Sequence, residues 1–423
     1  MQVIIVGGGI IGVCTAYHLR RHGAEVTVID REPDVARATS LGNAGVIAPG
    51  YVTPWAAPGM PTKILKYLFR SESPVIYRPV ADTRQWRWVS RWLRECELPR
   101  YRVNKERMQR IAYYSKACLT EFRSEHAFEY WRSQGYLQLF RTAFDEEMAR
   151  PAMQILAEAG ITHRLLDAEG CAEIEPALKG AALRPASGLY LPDDESGDCA
   201  VFAQQLRTVC EENGVRFRFN TRVRSLAGSR SGVEGVRISD AALPSTELLK
   251  ADTIIVAAGI ESRDLLAPLG VDVPIYPVKG YSATIAVTDP DKALRGAVMD
   301  EALKTSITRM GPNIRVAGTA ELGDSALTIR DKATRTLMKV LQDWFPGAVQ
   351  PETARYWVGL RPMTPDGPPL MGATPVPGLY INLGHGSTGW AMSMGSGRVV
   401  ADLATGQQPE IDLSGLTLER YAG

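Results

Sequence analysis

Two glycine clusters and one arginine are the residues of this chain best suited to chemistry. Gly7-Gly8-Gly9-Ile10-Ile11-Gly12 stands near one end and Gly384-His385-Gly386-Ser387-Thr388-Gly389 near the other. In the first, Gly7 permits a tight turn, Gly9 lets the backbone approach a pyrophosphate, and Gly12 lets the next helix lie close on a sheet. The free amides of that helix start, around Ile10 and Ile11, suit phosphate oxygens. Asp30-Arg31 closes a second apolar run, and a carboxylate there accepts hydrogen bonds from ribose hydroxyls. Ser40-Leu41-Gly42-Asn43-Ala44-Gly45 offers another set of approachable amides. Arg361 lies between a strand-like run and a proline-rich turn, so its place is rigid; its guanidinium suits bidentate capture of a carboxylate. An ion pair with Asp366 is the structural alternative, and Arg309 is a weaker candidate clamp at a hairpin edge.

These groups need elements to hold them. Residues 3–6 read as a strand, Val13, Ala16, Tyr17 and Leu19 recur at helical spacing, and residues 25–30 read as a second strand. That is a dinucleotide-binding βαβ unit. Residues 379–383 form a buried strand pattern, and residues 392–403 a helix with small residues on one face. Strands are expected at 217–223, ending in Val223 after a helix at 201–213, and at 252–259, ending in Ala258 and Gly259. NAD and FAD both use the first turn. A second glycine-lined helix start suits the pyrimidine side of a flavin, where reduction places negative charge, and NAD needs no such terminus. The expected fold is therefore α/β: a discontinuous Rossmann-type FAD-binding domain (1–60, 165–265, 355–423) and an α+β substrate domain with a mixed sheet (61–164, 266–354).

Size and composition narrow the function. At 423 residues two domains are the prior. A net charge of +1 gives no field for nucleic acid. Six scattered cysteines without a CxxC pair argue against a zinc site or a disulfide framework, and no metal is expected. The first strand starts at once, leaving no room for a signal peptide, so the expected location is cytoplasmic. Residues 60–70 and the tryptophans Trp86, Trp88 and Trp92 are interleaved with lysines or arginines. Such stretches lie in a lipid interface or pack their apolar side inward. Peripheral contact with the inner face of the cytoplasmic membrane follows from the first reading. Leu191 to Cys199 reads as an acidic rim loop.

Tyr276 and Tyr281 are five apart, so a regular strand points them to opposite faces. Tyr51 and Trp55, in a loop rich in proline and glycine, either line a substrate pocket or plug the core.

These segments together resemble the D-amino-acid oxidase superfamily of FAD enzymes, and within it the D-amino-acid dehydrogenase branch. The resemblance is carried by Asn43-Ala44-Gly45, Tyr51 to Gly59, Leu137 to Thr142, Leu191 to Cys199, Tyr276 to Ser282, Gly359-Leu360-Arg361-Pro362 to Gly367, and Gly384-His385-Gly386. Leu41-Gly42 departs from the family's usual Phe-Ala. The resemblance implies oxidation of D-amino acids to keto acids and ammonia, with hydride passing from Cα to flavin N5 and electrons reaching a quinone or other respiratory acceptor. It makes Arg361 the carboxylate clamp, Tyr281 its helper, and His385 a cofactor neighbour. Relatives of the same shape oxidise hydroxy-D-proline, glycine or secondary amines, and a non-catalytic FAD-binding relay subunit is the rival of another class.

Overall fold

The computed structural model describes residues 1–68, 73–240 and 246–421. The described residues form three sheets. The first is six-stranded, in the order Leu370–Ala373, Leu379–Leu383, Thr253–Val256, Gln2–Val6, Glu25–Ile29, Arg216–Arg218. All its pairings are parallel except that of the first two strands. Side-chain alternation explains why both faces are covered. Val3, Ile5, Val26 and Val28 enter one core, whereas Ile4, Val6, Ile254 and Val256 enter another.

Helices cover the first face. Ile10–Arg21, Cys199–Glu212, Gly389–Ala404 and Leu98–Glu125 bury Val13, Phe202, Val399 and Ile111 together. The small residues of the C-terminal helix have a reason. A Cβ at Gly395 would lie 2.7 Å from the Ser115 amide nitrogen, and one at Gly397 would lie 2.8 Å from the Cys14 carbonyl carbon. The other face carries a three-stranded antiparallel sheet, Glu247–Lys250, Gly232–Asp240 and Thr221–Ser229. The strand expected at 217–223 is thus two strands in two sheets. The chain turns at Asn220, whose φ of 53° is left-handed, so Val223 belongs to the second.

The ten-stranded mixed sheet runs Arg355–Met363, Tyr276–Ala286, Asn313–Leu322, Thr305–Met310, Ala297–Asp300, Ser133–Phe140, Ser187–Ser196, Val46–Ile47. Val75–Tyr77 and Arg164–Leu166 join it at the side. Helix Asp331–Trp344 packs on it through Leu337, Leu341 and Trp344. Three of these strands come from stretches the sequence assigns to the cofactor domain, and the 98–125 helix packs on helix Gly389–Ala404, which covers the six-stranded sheet. The two regions therefore interleave more closely than the expected segments.

The acidic stretch 191–199 is not a rim loop. Most of it is the strand Ser187–Ser196, because each buried acid meets a specific donor. Asp194 accepts from the Gly50 and Tyr51 amides (3.0 and 3.2 Å), Glu195 pairs with Arg123 at 2.6 Å, and Asp198 caps the next helix. Of the tryptophans, Trp88 and Trp92 turn inward from helix Thr83–Glu95 while Trp86 stays 55% exposed. Phe69 and Arg70 of the 60–70 stretch lie outside the described residues. No helix among the described residues is long and apolar enough to cross a membrane.

Candidate active site

The glycine turns set the geometry. Gly7 has φ 112°, its amide donates to the Ile29 carbonyl at 2.9 Å, and a Cβ there would lie 2.5 Å from the Ala257 oxygen. A Cβ at Gly12 would overlap the Gly7 carbonyl, which is what brings helix Ile10–Arg21 down on the sheet. A Cβ at Gly9 would meet only Ser40 Oγ, at 3.5 Å, and one at Gly259 would meet nothing. At the far end Gly384 and Gly386 have φ of 79° and 58°. Neither this turn's helix nor the first has an acid in its first turn or a cap from the N-cap side chain. Ser40 Oγ accepts from the Ile10 amide at 3.1 Å.

Both helix starts open on one cleft of about 330 Å³. It is bordered by Gly7, Gly9, Ile10 and Ile11, by Asp30 and Arg31, by Ser40 and Asn43, by Val223, Ala258 and Gly259, and by Gly384, His385, Gly386 and Gly389. Gly12 and Gly45 stand off the cleft and act through packing. Gly45, at φ 79°, is held against the Gly197 carbonyl, and its amide donates to Asn43 Oδ1 at 2.8 Å. Asp30 accepts from the Gly8 amide (2.5 Å) and the Glu32 amide (2.9 Å), and burial raises its pKa. Arg31 forms an ion pair with Glu261 at the rim. Asn382 borders the cleft with a buried Oδ1 that has no partner among the described residues. His385 is buried against Ser396 Oγ at 3.1 Å, and burial pulls its pKa down to about 3, so its ring is neutral at physiological pH.

A second cavity, about 320 Å³, adjoins the cleft and shares Thr39, Asn43, Trp357 and Gly386 with it. Ala44, Thr388, Tyr51, Trp55 and Arg361 line this chamber. Trp357 stands where the two spaces meet, and a Cβ at Gly42 would overlap its ring; the Gly42 departure is thereby explained. Arg315, which the sequence did not single out, pins the 40–45 turn by donating to the Leu41 and Asn43 carbonyls (2.8 and 3.0 Å).

Arg361 lies inside the strand Arg355–Met363 rather than after it. Its guanidinium lies over Gly280, and Trp55 stacks near it at 5.9 Å. Among the described residues it donates only to backbone carbonyls: Lys279 (3.4 Å), Thr319 (3.3 Å) and Gly318 (3.4 Å). Two of these carbonyls come from a bulge. Gly280 pairs with Ala320 and Tyr281 with Gly318, which leaves Thr319 unpaired at φ 43°. Asp366 is not its partner, because Arg420 holds that carboxylate at 2.8 Å. No carboxylate among the described residues lies within 4.0 Å of Arg361, and burial pulls its pKa down.

Tyr281 borders the same chamber as Arg361, but its side chain turns away from the guanidinium. Alternation turns it to the face opposite Gly280, among Ala283, Ile285 and Leu337, and its hydroxyl donates to the buried Glu321 at 2.5 Å. Tyr276 turns the other way and packs on Trp88. Arg309 is spent on the Gly311 carbonyl. Tyr51 packs edge-on to Tyr136, and its hydroxyl has no partner among the described residues. The sequence reading missed the chamber residues Lys105, Gln138, Glu301 and Lys304. Only Lys105 left a signal: it falls on the helical stripe of Tyr101, Met108 and Ala112.

A family model described as "FAD dependent oxidoreductase", DAO, matches residues 2–403. The chain belongs to the DAO family of FAD-dependent oxidoreductases. The D-amino acid dehydrogenase of Bradyrhizobium diazoefficiens is 45% identical over 423 residues, covering 100% of this chain and 99% of that one. The enzyme of the same name from Cereibacter sphaeroides is 46% identical, covering 100% and 96%. Glycine oxidase from Geobacillus kaustophilus shares the fold at 20% identity, with a TM-score of 0.75 over 100% of both chains. The cofactor of this DAO-family chain is FAD, and the cleft's Cβ-free turns and helix starts, without an acid in the first turn, fit a dinucleotide.

Proposed function

We propose that this chain is the catalytic subunit of a D-amino-acid dehydrogenase, corresponding to the small subunit of such enzymes. It converts a D-amino acid to the keto acid and ammonia. The observation that carries this reading is Arg361: a half-buried guanidinium, without a carboxylate within 4.0 Å among the described residues, lining the chamber beside the cleft. A ligand carboxylate supplies the missing counter-charge. Trp55 covers the guanidinium and donates to Ser387 Oγ at 3.3 Å, so the same ring spans the clamp and the second glycine turn. Tyr51 and Trp357 wall the chamber. FAD, when bound, supplies the two-electron acceptor for the hydride that leaves Cα. The neutral His385 serves as a cofactor neighbour and takes no proton.

In this reading residues 1–60, 165–265 and 355–423 chiefly serve the cofactor, and 61–164 and 266–354 chiefly serve the substrate. Electrons leave to a quinone or its carrier. The outer face of helix Thr83–Glu95, with Trp86, Leu93 and four arginines, supports peripheral seating on a membrane. Anaerobic mixing of the flavin-loaded protein with D-alanine, L-alanine and D-proline tests the proposal. D-Alanine is expected to bleach the flavin and L-alanine to leave it yellow. Bleaching by D-proline alone would move the assignment to secondary amines, and a spectrum unmoved by any of them would end it.

A further inference from the structure

The chamber reaches well past the clamp. Arg361 donates to carbonyls of strand Asn313–Leu322, and Glu301 follows the Ala297–Asp300 strand two ladders further across the sheet. At the usual strand spacing that is roughly 10 Å. The walls between are apolar, with Tyr136, Leu156, Leu189 and Met299. A five-carbon amino acid, hydrogen-bonded at both ends, spans such a gap.

Two buried polar groups at the far wall are poorly matched. Lys105 projects from helix Leu98–Glu125 and is 2% exposed. Its ammonium makes one hydrogen bond, to the Val52 carbonyl at 3.3 Å, and has no carboxylate within 4.0 Å among the described residues. Burial pulls its pKa down to about 8. Glu301 is 8% exposed; Oε2 takes the Lys304 ammonium, and Oε1 has no partner among the described residues. An ammonium with hydrogens to spare and an unmatched carboxylate oxygen are costly to bury and call for a ligand that satisfies both. The Lys304 ammonium already on Glu301, with Lys105 beside it in the lining, disfavours a cationic tip.

We infer that Lys105 and Glu301 form the side-chain subsite of the chamber, and that it takes amino acids whose side chain ends in a neutral group able to accept and donate a hydrogen bond, a carboxamide being the simplest. The inference rests on the function proposed above. It is tested by measuring kcat/KM of the flavin-loaded enzyme for D-glutamine, its aliphatic isostere D-homoleucine, D-lysine and D-alanine. Calorimetry adds the affinities of glutaramate and 5-methylhexanoate, which lack the reacting amine. D-Glutamine is expected to exceed both D-homoleucine and D-lysine by about tenfold or more, and glutaramate to bind more tightly than its isostere by a similar factor. Lys105→Met and Glu301→Met should each bring the carboxamide-to-aliphatic ratio close to one. A ratio of one or less in the unaltered enzyme overturns the subsite, as does an unchanged ratio in both variants when they melt no lower than the parent and carry the same flavin content. If D-alanine is oxidised while the ratio is one, only the subsite falls. If no D-amino acid is oxidised, the proposed function falls with it.

Discussion

Arg361, half-buried, and Lys105, buried, are both cations without a carboxylate within 4.0 Å among the described residues, but their surroundings assign them different work. Three long carbonyl contacts hold Arg361 in place without neutralising it. Removing its charge-assisted bonds to a substrate carboxylate should cost about 2–3 kcal/mol, or roughly 30- to 150-fold in kcat/KM, mostly through KM. Arg361→Ala is expected to show that loss in steady-state kinetics. Arg361→Lys should recover only part of it, because an ammonium cannot form the fork. Lys105 is expected to reveal itself through stability. Its pKa falls from 10.5 to about 8 on burial, so the charged form is disfavoured in the folded state. Below pH 8 both states hold the proton and the full penalty, about 3 kcal/mol, is present. Between pH 8 and 10.5 the folded chain releases the proton first, the unfolded state binds more protons, and stability rises with pH. Lys105→Met should therefore raise the melting temperature at pH 7 and flatten its rise above pH 8. A variant that melts lower at pH 7 would show that the ammonium's bond to Val52 outweighs its desolvation.

At the level of elements, the glycine turns were legible because each obeys a local rule that leaves a sequence trace. The strand, turn, helix and acid of residues 3–30 all lie where the pattern puts them, and residues 389–404 form the second helix. The chamber was less legible, since its residues come from strands far apart in the chain. Lys105, on a helix, and Glu301, just after a strand, line one chamber only through the tertiary fold, and the Tyr281 side chain faces away from Arg361 because the bulge at Thr319 lies on the neighbouring strand and leaves its own alternation intact. Contacts of this sort make testable pairs. A methyl at Gly42 would enter the Trp357 ring. Gly42→Ala alone should destabilise by about 1–3 kcal/mol, as overpacking does. Combined with Trp357→Leu it should cost less than the sum of the two single changes, a coupling that a double-mutant cycle of melting free energies measures. Gly7→Ala meets both a φ of 112° and the Ala257 carbonyl. It should purify with most of its flavin absorbance missing, and full flavin retention would show that the turn has room to relax.

For the molecule as a whole, the question is how electrons leave a chamber walled by protein. Helix Thr83–Glu95 links the site to the surface. Its inner face buries Trp88 and Trp92, and Trp88 Nε1 donates to the Met363 carbonyl at 2.9 Å, two residues after Arg361. Its outer face carries Trp86 and Leu93, 55% and 47% exposed, among Arg84, Arg87, Arg91 and Arg94. Asp82 neutralises Arg84 at 3.1 Å, which leaves three arginines to act together on an anionic surface. At about 1 kcal/mol each they supply roughly 3 kcal/mol, or about 150-fold in partitioning, and Trp86 adds an interfacial anchor. The protein should therefore sediment with vesicles containing anionic lipid at low salt, remain free with zwitterionic ones, and detach when salt shortens the screening length. Reversing Arg87, Arg91 and Arg94 to Glu should abolish sedimentation while D-amino acid oxidation with a soluble dye continues. Electron delivery to membrane quinone should fall in step with the lost binding. If the triple variant still sediments, or if quinone reduction survives its release, this face is not the route by which the enzyme meets its acceptor.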